Sequence, residues 1–419
     1  MKCMRLLSLI HHPWFSGPHN HDLRLAGLLA KGGVETTVLL PAEPGDAFSR
    51  LGAADVSVMT YPSHRPRVRV PRTALHMLYL ATFIQKVRFV QQVIREHNID
   101  LVQLADPFHP HGAIAARLER RPLVVHLIGG GGSVPTRAMA TQFTCRLANV
   151  IMTNGSAIQA VYPGFSRLRS HVVSYFSPVD VAAFRPDFAR RRAARTEFGI
   201  GPKEVVVGYV ARIHPEKDHY TFIRAAALLR KEFPLVRFIL LGAVETGSES
   251  YKSSIWQMAA ELGLRPDKDI LHRDAGARVA DLAQAFDIYW STGLWEAATT
   301  STGEAMALGI PVVSTDSGSG SEMIEEGVTG FLVRVKQAED LARVTVPLVE
   351  NKILRKKIGD AARLRAVRLF GAKACADRHL EAYDFALSGL RPGSNTPVRR
   401  ESLALEPGAS QNAQVETSG

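Results

Sequence analysis

The sequence predicts an α/β fold of two domains, each a parallel sheet covered by helices on both faces, with the domains facing each other across a cleft. The chain has 419 residues, of which 46% are hydrophobic, so it can fill two cores. In both halves, short runs rich in leucine and β-branched residues alternate with helical patterns, which is typical of doubly wound parallel sheets. A change in composition at 190–202 separates the two series. We therefore predict a first domain over 1–185 and a second over 195–371.

The elements of the first domain follow from this alternation. Strands are expected at 6–10, 36–40, 99–104, 123–128 and 150–152, and helices at 21–31, 74–97 and 113–119. The apolar run at 6–10 ends at His11, whereas a secretory signal peptide needs a longer apolar stretch and a small-residue cleavage site. We therefore interpret this run as a buried strand.

The elements of the second domain repeat the pattern. Strands are expected at 205–210, 236–241, 270–272, 288–290 and 312–314, and helices at 219–231, 251–262, 277–286 and 302–308. Further helical patterns follow at 338–350, 354–370 and 374–388. The end of the chain, 391–419, combines Pro, Gly, Ser, Asn and Gln with almost no aromatic residues, so we expect it to be disordered.

Cysteine content and hydropathy exclude several classes of protein. Cys3, Cys145 and Cys375 are an odd number of scattered residues without the spacing of a disulfide framework or a zinc site. We therefore predict no metal site and a reducing, cytoplasmic environment. The most apolar helical stretch, 74–90, is interrupted by polar and basic residues and falls short of the roughly 20 apolar residues of a membrane span.

The formal charge of +11 is concentrated partly in one segment of the first domain, 64–97. A basic surface attracts either nucleic acid or anionic lipids and phosphorylated ligands. Aromatic residues are not interleaved through the basic run, so nucleic acid is not expected. We expect this segment to contact an anionic membrane surface. The alternative is an ordinary helix whose apolar face packs on the sheet, and amphipathicity alone does not separate the two.

The clearest candidate site lies in 291–314, a stretch that predicts strand, loop, short helix and strand. Ser301 and Glu304 have the spacing of a capping box, so the helix is expected to begin near Thr302. Free amides at 300–303, together with the positive end of the helix dipole, then form an anion site suited to phosphate. Glu304 is either this cap or a ligand for a sugar hydroxyl.

Three further residues complete the candidate site. Glu296 lies in the loop before the helix, where its carboxylate either accepts paired hydrogen bonds from vicinal sugar hydroxyls or remains solvated. Arg212 and Lys217 flank a turn between a strand and a helix. Two such cations can neutralise a diphosphate, and solvated surface cations are the alternative.

These motifs resemble those of the group 1 glycosyltransferases, the family 4 of retaining enzymes. Glu296 and Glu304 match the family's E-x7-E signature, which continues as E-A-M-A-x-G-x-P-V-V, and Arg212 and Lys217 match its R-x4-K turn. The resemblance covers most of the chain and is strongest over 205–335.

The resemblance implies the GT-B fold, in which two Rossmann-like domains face each other and the last helix, 374–388, crosses back to the first domain. It implies that the first domain binds the acceptor and that the second binds a nucleoside diphosphate sugar, with no metal or cofactor. The two cations would hold the diphosphate, Glu304 the ribose hydroxyls and Glu296 the sugar hydroxyls. The implied donor-binding residues are Arg212, Lys217, Glu296, Thr300, Ser301, Thr302 and Glu304.

Two positions depart from the family pattern. Gly17 is followed by Pro18 where a Gly-Gly pair is usual, and we include Gly17 in the donor site. The family's active-site histidine, in a His-Gly pair, is replaced by Ile128, and His126 lies two residues earlier on the same face of the strand. His126 is either its catalytic substitute or a core residue. The candidate catalytic residues are thus Arg212, Lys217, Glu296 and His126.

These observations predict a retaining hexosyltransferase that uses a nucleoside diphosphate sugar and a lipid-linked or polymeric glycan acceptor. We expect it to act in polysaccharide biosynthesis for the cell envelope, in the cytoplasm and at the inner face of the plasma membrane. A sugar-nucleotide epimerase on the same fold is the nearest alternative. A non-enzymatic basic protein that binds membranes or phosphate is the other.

Overall fold

The computed structural model describes residues 3–62, 77, 79, 81–129 and 132–389. Several sequence-based predictions lie outside the described residues. They concern the basic run at 64–72, much of the helix predicted from 74 onward, and the tail 391–419.

The first domain contains a parallel sheet of seven strands within the described part of the chain, in the order β3-β2-β1-β4-β5-β6-β7. Its strands are Met4–Leu9 (β1), Val34–Pro41 (β2), Ser57–Tyr61 (β3), Leu101–Leu104 (β4), Leu123–Leu127 (β5), Val150–Asn154 (β6) and His171–Tyr175 (β7). Its helices are Gly17–Lys31 (α1), Ala47–Gly52 (α2), Phe83–Glu96 (α3), Pro110–Leu118 (α4) and Val134–Ala140 (α5). In the central register, Leu6 pairs with Thr36 on one side and with Leu101 on the other.

The second domain contains a parallel sheet in the order β10-β9-β8-β11-β12-β13. Its strands are Val205–Val210 (β8), Val236–Leu241 (β9), Ile270–Arg273 (β10), Ile288–Ser291 (β11), Val312–Thr315 (β12) and Gly330–Val333 (β13). The helices from here to the end are Phe188–Glu197 (α6), His219–Glu232 (α7), Glu249–Glu261 (α8), Val279–Leu282 (α9), Thr300–Ala307 (α10), Gly320–Met323 (α11), Ala338–Glu350 (α12), Lys352–Phe370 (α13) and Ala372–Leu387 (α14). The predicted fold class is confirmed: both sheets have the doubly wound strand order, which reverses beside the first strand of each domain.

The helix predicted over 277–286 is shorter than expected. Only Val279–Leu282 is α-helical, and a 3₁₀ turn adjoins it on either side. Leu282, Ala283, Ala285 and Phe286 are nevertheless buried, so the apolar pattern reflects packing rather than a regular helix.

The last helix, α14, packs on the first domain. Cys375 and Tyr383 share a core cluster with Leu6 and Leu25 of β1 and α1. The hydroxyl of Tyr383 donates a 2.6 Å hydrogen bond to Oε1 of Gln103 in β4. Because both groups are buried, this bond fixes the position of the helix across the sheet.

The described part of the basic segment is α3, and its apolar face packs on the sheet. Val87, Val90 and Ile94 are buried in the core of the first domain, which accounts for the amphipathic pattern without a membrane. Ile84, by contrast, is 64% exposed beside this buried face. Across the described residues, no helix combines the length and the hydropathy needed to cross a bilayer.

Candidate functional site

A cavity of about 760 Å³ lies between the two domains. It opens where strands of both sheets end, the position at which doubly wound folds bind ligands. The first domain contributes Gly17, Asn20, His21, Arg24, Ile128, Gly129, Asn154, Ser177 and Pro178 to its wall. The second contributes Arg212, Glu216, Lys217, Leu294, Trp295, Glu296, Ala297, Ala298 and Thr300.

Lys217 and Glu296 form an ion pair in the wall of this cavity. The Lys217 Nζ lies 2.5 Å from Oε1 of Glu296, and the two side chains are 18% and 16% exposed. Burial raises the pKa of the Glu296 carboxyl above its ordinary value, and the positive charge of Lys217 opposes that rise. The structure thus places together two residues predicted from separate motifs.

Backbone and side-chain hydrogen bonds join the loops that carry this pair. The amide of Leu294 donates to the carbonyl of Glu216 at 2.9 Å. The hydroxyl of Thr292 donates to the carbonyl of Lys217 at 2.9 Å. Asp218, which follows Lys217, has a φ of +45° and caps α7 through Thr221. Such a backbone conformation is costly for a residue other than glycine, and it recurs where functional loops are held in place.

A third loop, which contains Gly318 and Ser319, holds the backbone at Glu296 in place. The amide of Ser319 donates to the carbonyls of Glu296 and Ala297 at 3.1 and 2.9 Å. Gly318, beside it, has a φ of +58°, and a Cβ there would lie 1.5 Å from the carbonyl oxygen of Glu296. Only glycine fits this close approach.

Replacing Gly318 by alanine is expected to displace the Glu296 loop. We expect the free energy of unfolding to fall by more than about 2 kcal/mol, because the strain of the left-handed backbone adds to a backbone clash. Urea unfolding checks this result. Gly327→Ala is the matched control, since Gly327 has a φ of +72° and open space where a methyl group would lie, so it should lose only about 1 kcal/mol. Equal losses in the two variants would contradict the proposed support.

The short helix α10 corrects the predicted capping box. The helix begins at Thr300 with Thr299 as its N-cap, so Glu304 lies too far along to bond back to the cap. The Ser301 hydroxyl accepts a 3.0 Å hydrogen bond from Tyr289, and the Thr302 hydroxyl accepts one from Thr299. The prediction was wrong because three consecutive Ser and Thr residues at 300–302, preceded by another Thr, left several possible caps.

The start of α10 supplies amides to the cavity. Thr300 lines the wall, whereas Ser301 and Thr302 do not. The first N–H groups of a helix have no intrahelical acceptor, and within the described residues no side-chain cap occupies them. They are therefore available to an anion at the second domain's edge of the cavity.

Glu304 is not among the residues that line the cavity, and its side chain is partly buried. Within the described residues, no hydrogen bond reaches its carboxylate. Burial raises the pKa of Glu304 to about 7, and the positive charge of Arg24 in the first domain opposes the rise. Its carboxyl is therefore poised to lose its proton when a polar ligand or a cation approaches.

The raised pKa of Glu304 predicts a pH-dependent stability. The folded protein holds this proton up to about pH 7, whereas the unfolded chain releases it near the ordinary value of 4.5. Between those values the unfolded state binds fewer protons, so stability falls as pH rises. Glu304→Gln lacks this titration. We therefore expect its free energy of unfolding, relative to that of wild type, to rise between pH 5 and pH 8 by on the order of 2 kcal/mol.

Urea unfolding at both pH values measures this change, with the exposed Glu339→Gln as the control. A stability difference between Glu304→Gln and wild type that does not change with pH would contradict the assignment.

Arg212 lines the cavity, but its guanidinium forms an ion pair with a neighbouring side chain. Its guanidinium pairs with the carboxylate of Glu245, and its side chain is 57% exposed. Because this pair is at the surface, it is weak and its partners exchange easily. Arg212 can therefore turn toward an anion in the cavity.

The first domain contributes one face of α1, from which only Gly17 was among the predicted site residues. Gly17, Asn20, His21 and Arg24 recur at helical spacing along this face. Their i, i+3, i+4, i+7 pattern at the start of a helix was the available signal. Arg24 Nη1 also donates a 2.5 Å hydrogen bond to the carbonyl of Pro178, which joins α1 to the segment that leads into the second domain.

The structure places His126 in the core of the first domain, which is the second of its two predicted alternatives, so its catalytic role stays a prediction. His126 is 1% exposed and lies outside the cavity wall, whereas Ile128 and Gly129 line it. The Nδ1 atom of His126 lies 3.1 Å from the hydroxyl of Tyr175. Burial holds its pKa well below the ordinary value. Two residues along a strand cover nearly 7 Å, which is enough to move this side chain from the edge of the sheet into the core.

A carboxylate of the second domain joins the two domains directly. Glu322 in α11 accepts hydrogen bonds from the backbone amide of Ser156 at 2.9 and 3.0 Å, and from its hydroxyl at 3.0 Å. Gly155, just before, has a φ of +75°, and a Cβ there would lie 2.0 Å from Oγ of Ser319. The loop that supports Glu296 is thus also in contact with the first domain.

Known glycosyltransferases match this chain in sequence and in structure. Residues 190–365 match the family model described as "Glycosyl transferases group 1". A curated relative, the D-inositol 3-phosphate glycosyltransferase of Nocardia farcinica, is 30% identical over 235 residues, which are 54% of this chain and 51% of that protein. The chain thus spans about half the length of the curated relatives it matches.

Solved structures match over nearly the whole chain. The Anabaena protein HepE in complex with UDP has a TM-score of 0.77 at 23% identity, covering 91% of this chain and 100% of that one. A glycosyltransferase from Rickettsia africae has a TM-score of 0.78 at 16% identity, covering 92% and 99%. At these identities the structures establish the fold alone. Residues 190–365 are therefore similar to the group 1 glycosyl transferases, and the chain adopts the GT-B fold of two facing Rossmann-like domains.

Proposed function

We propose that the chain is a retaining glycosyltransferase that transfers a hexose from a nucleoside diphosphate sugar to a lipid-linked or polymeric glycan acceptor. The observation that carries this proposal is the Lys217–Glu296 ion pair in the wall of the interdomain cavity, beside the free amides of α10. HepE, of the same fold, has been solved with UDP and with UDP-glucose, which supports a nucleotide-sugar donor.

The cations and amides of the second domain would receive the diphosphate. Lys217, Arg212 and the start of α10 all lie along one wall, and together they can neutralise two phosphate groups. Their charge supplies what a divalent metal provides in other transferases, so we propose that transfer needs no metal ion. Glu296 would accept hydrogen bonds from the sugar hydroxyls, and Glu304 from those of the ribose.

The first domain would hold the acceptor against the sugar. Asn20 and Arg24 present polar groups from α1 on the opposite side of the cavity, where His21 also lines the wall. In the proposed step, the bond between the anomeric carbon and the diphosphate oxygen breaks, and the diphosphate leaves with the electron pair. The acceptor oxygen bonds to the same face of that carbon, and its proton passes to the departing phosphate. Charge grows on the leaving group, which Lys217 and Arg212 stabilise.

The experiment is a product analysis with UDP-, GDP- and ADP-hexoses, with and without a glycan acceptor. We expect release of nucleoside diphosphate that depends on the acceptor, and a glycoside that retains the anomeric configuration of the donor, measured by NMR. An epimerised sugar nucleotide would favour the epimerase alternative, and the absence of any turnover would favour a binding protein. Either result would contradict the proposal.

We further propose that the first domain lies on an anionic membrane surface, where a lipid-linked acceptor would be found. Ile84 and Met77 are 64% and 67% exposed, and Arg88 is exposed on the same helix as Ile84. Apolar and basic side chains side by side suit a membrane interface. The net charge of +11 adds a general attraction to anionic lipid.

Co-sedimentation with vesicles that contain anionic lipid tests this surface. We expect wild-type protein to sediment with them, and the double variant Ile84→Ser/Arg88→Glu to lose roughly tenfold in apparent affinity, since each basic residue contributes about 1 kcal/mol near such a surface. Neutral vesicles are the control. Equal binding of both proteins to anionic vesicles would exclude α3 as the contact surface.

A further inference from the structure

A buried polar cluster lies behind the cavity, where α1, β5 and α14 meet. It consists of His21 from α1, His126 from β5, and Cys375 and His379 from α14, which are 6%, 1%, 1% and 0% exposed. Nothing in the proposed transfer reaction uses His126, Cys375 or His379. Three imidazoles and a thiol in one core are costly unless their polar atoms have partners.

The Nδ1 atom of each imidazole already has a partner that can accept its proton. The acceptors are Oδ1 of Asp22 for His21 at 3.3 Å, the hydroxyl oxygen of Tyr175 for His126 at 3.1 Å, and the carbonyl oxygen of Cys375 for His379 at 2.7 Å. Histidines that bind a metal are usually held in this way by a carboxylate or a carbonyl on the other ring nitrogen. Each ring then presents the lone pair of Nε2.

These Nε2 atoms lack hydrogen-bond partners or face the thiol. Those of His126 and His379 are buried and have no hydrogen-bond partner within the described residues. That of His21 lies 3.9 Å from Sγ of Cys375.

The spacing of the three histidine rings fits one tetrahedral ion, and three of the four side chains have ligand atoms close enough to share it. The ring centres of the three histidines are 5.5, 4.8 and 5.2 Å apart. Imidazoles bound to a single tetrahedral zinc at about 2.0 Å would have ring centres roughly 5 Å apart. Ligand atoms of His21, Cys375 and His379 lie within 4.8 Å of one another, whereas His126 lies outside this group and is placed beside it by the distances between the rings.

We propose that His21, His126, Cys375 and His379 bind one zinc ion, or a divalent ion of similar preference, through three imidazole nitrogens and a thiolate. The thiol releases its proton to solvent when the ion binds. The ion is then coordinated by the ring nitrogens that otherwise lack a partner. Because the ligands come from α1, β5 and α14, the ion fastens the last helix to the first domain. It stands apart from the diphosphate chemistry, which the second domain would carry.

Metal analysis of the full-length protein and its variants tests the proposal. We expect inductively coupled plasma mass spectrometry to find one zinc ion per chain in wild type. The ion should be lost in Cys375→Ala and in His379→Gln. Cys145→Ala is the matched control, since Cys145 is an equally buried thiol elsewhere in the first domain. His109→Ala is the second control, because His11, Asp106 and His109 form another group of described residues close enough to share an ion. Both controls should keep the zinc ion.

Cobalt binding to wild-type protein keeps the test independent of how well the variants fold. After chelation, added Co²⁺ should give the intense visible bands of a tetrahedral site and a thiolate charge-transfer band. The charge-transfer band should be absent in Cys375→Ala. Chelation should also lower the Tm of wild type but not that of Cys375→Ala. Wild-type protein that contains no metal and takes up neither Zn²⁺ nor Co²⁺ would overturn the proposal, as would a cobalt spectrum that survives Cys375→Ala unchanged.

Discussion

Replacing Lys217 by alanine is expected to lower kcat/KM for glycosyl transfer by about 10²-fold or more, the usual effect of removing one preorganised group that stabilises developing charge. The Lys217 ammonium is fixed by Glu296 at 2.5 Å and by the turn that precedes α7, so no reorganisation is needed when the diphosphate departs. Nucleoside diphosphate affinity should fall as well, because in the proposed site the same cation would contact the product.

Steady-state kinetics and calorimetric titration with the nucleoside diphosphate measure both effects. Lys231→Ala, an exposed lysine near the end of α7, is the control and should behave as wild type. The variant leaves Glu296 without its partner, but this carboxyl already has a raised pKa and can take a proton, so the fold should persist. A kcat/KM within about twofold of wild type, at unchanged Tm, would remove Lys217 from the mechanism.

Glu322→Ala is expected to lower kcat for transfer by roughly 10- to 10²-fold with little change in nucleoside diphosphate affinity. Its carboxylate bonds the amide and hydroxyl of Ser156 across the domain interface, whereas the predicted diphosphate ligands all lie in the second domain. Without this link the two halves of the cavity lose their alignment, and a misplacement of about 1 Å can cost 10²-fold in rate.

Comparing the change in kcat with the change in nucleoside diphosphate affinity distinguishes a loss of domain alignment from a loss of donor binding. Calorimetry should give a nucleoside diphosphate Kd within a few-fold of wild type, while turnover under saturating donor should fall. The exposed Glu339→Ala provides the control for loss of a surface carboxylate in the same domain. Equal turnover in both variants would show that the Glu322 contact does not position the domains for catalysis.

Much of the fold could be predicted because the strands of a doubly wound sheet are buried on both faces. Such strands appear as continuous apolar runs, and those at 205–210 and 236–241 match β8 and β9 residue for residue. The strands β3 and β7 were missed because they lie at the edges of the first sheet. Ser57 and Val172 there are exposed, so their apolar pattern is weak.

The candidate site could be predicted only where its residues are close in sequence. Lys217 and Glu296 each belong to a compact motif, and the structure brings the two motifs together through their loops. Arg24 belongs to no such motif. Its position follows from the packing of α1 against the segment that leads into the second domain, which local patterns do not encode.

The absence of a metal site stays a prediction, but the cluster proposed as a zinc site shows the same limit of the sequence. The scattered cysteines gave no zinc-site spacing, yet Cys375 lies beside His21, 354 residues away in sequence, at an Sγ–Nε2 distance of 3.9 Å. Ligands that converge from α1, β5 and α14 leave only the i, i+4 pair of Cys375 and His379 visible in the sequence. That pair alone is too common to indicate a site.

The central claim is that the cavity beside Lys217 and Glu296 binds a nucleoside diphosphate. A thermal-shift series with UDP, GDP and ADP tests it most directly, on wild type and on Lys217→Ala. A ligand at 100 times its Kd stabilises the folded state by about 2.7 kcal/mol. We predict a clear rise in Tm for at least one nucleotide with wild type, and a much smaller rise with Lys217→Ala. No shift with any nucleotide, or an equal shift in the variant, would contradict the account.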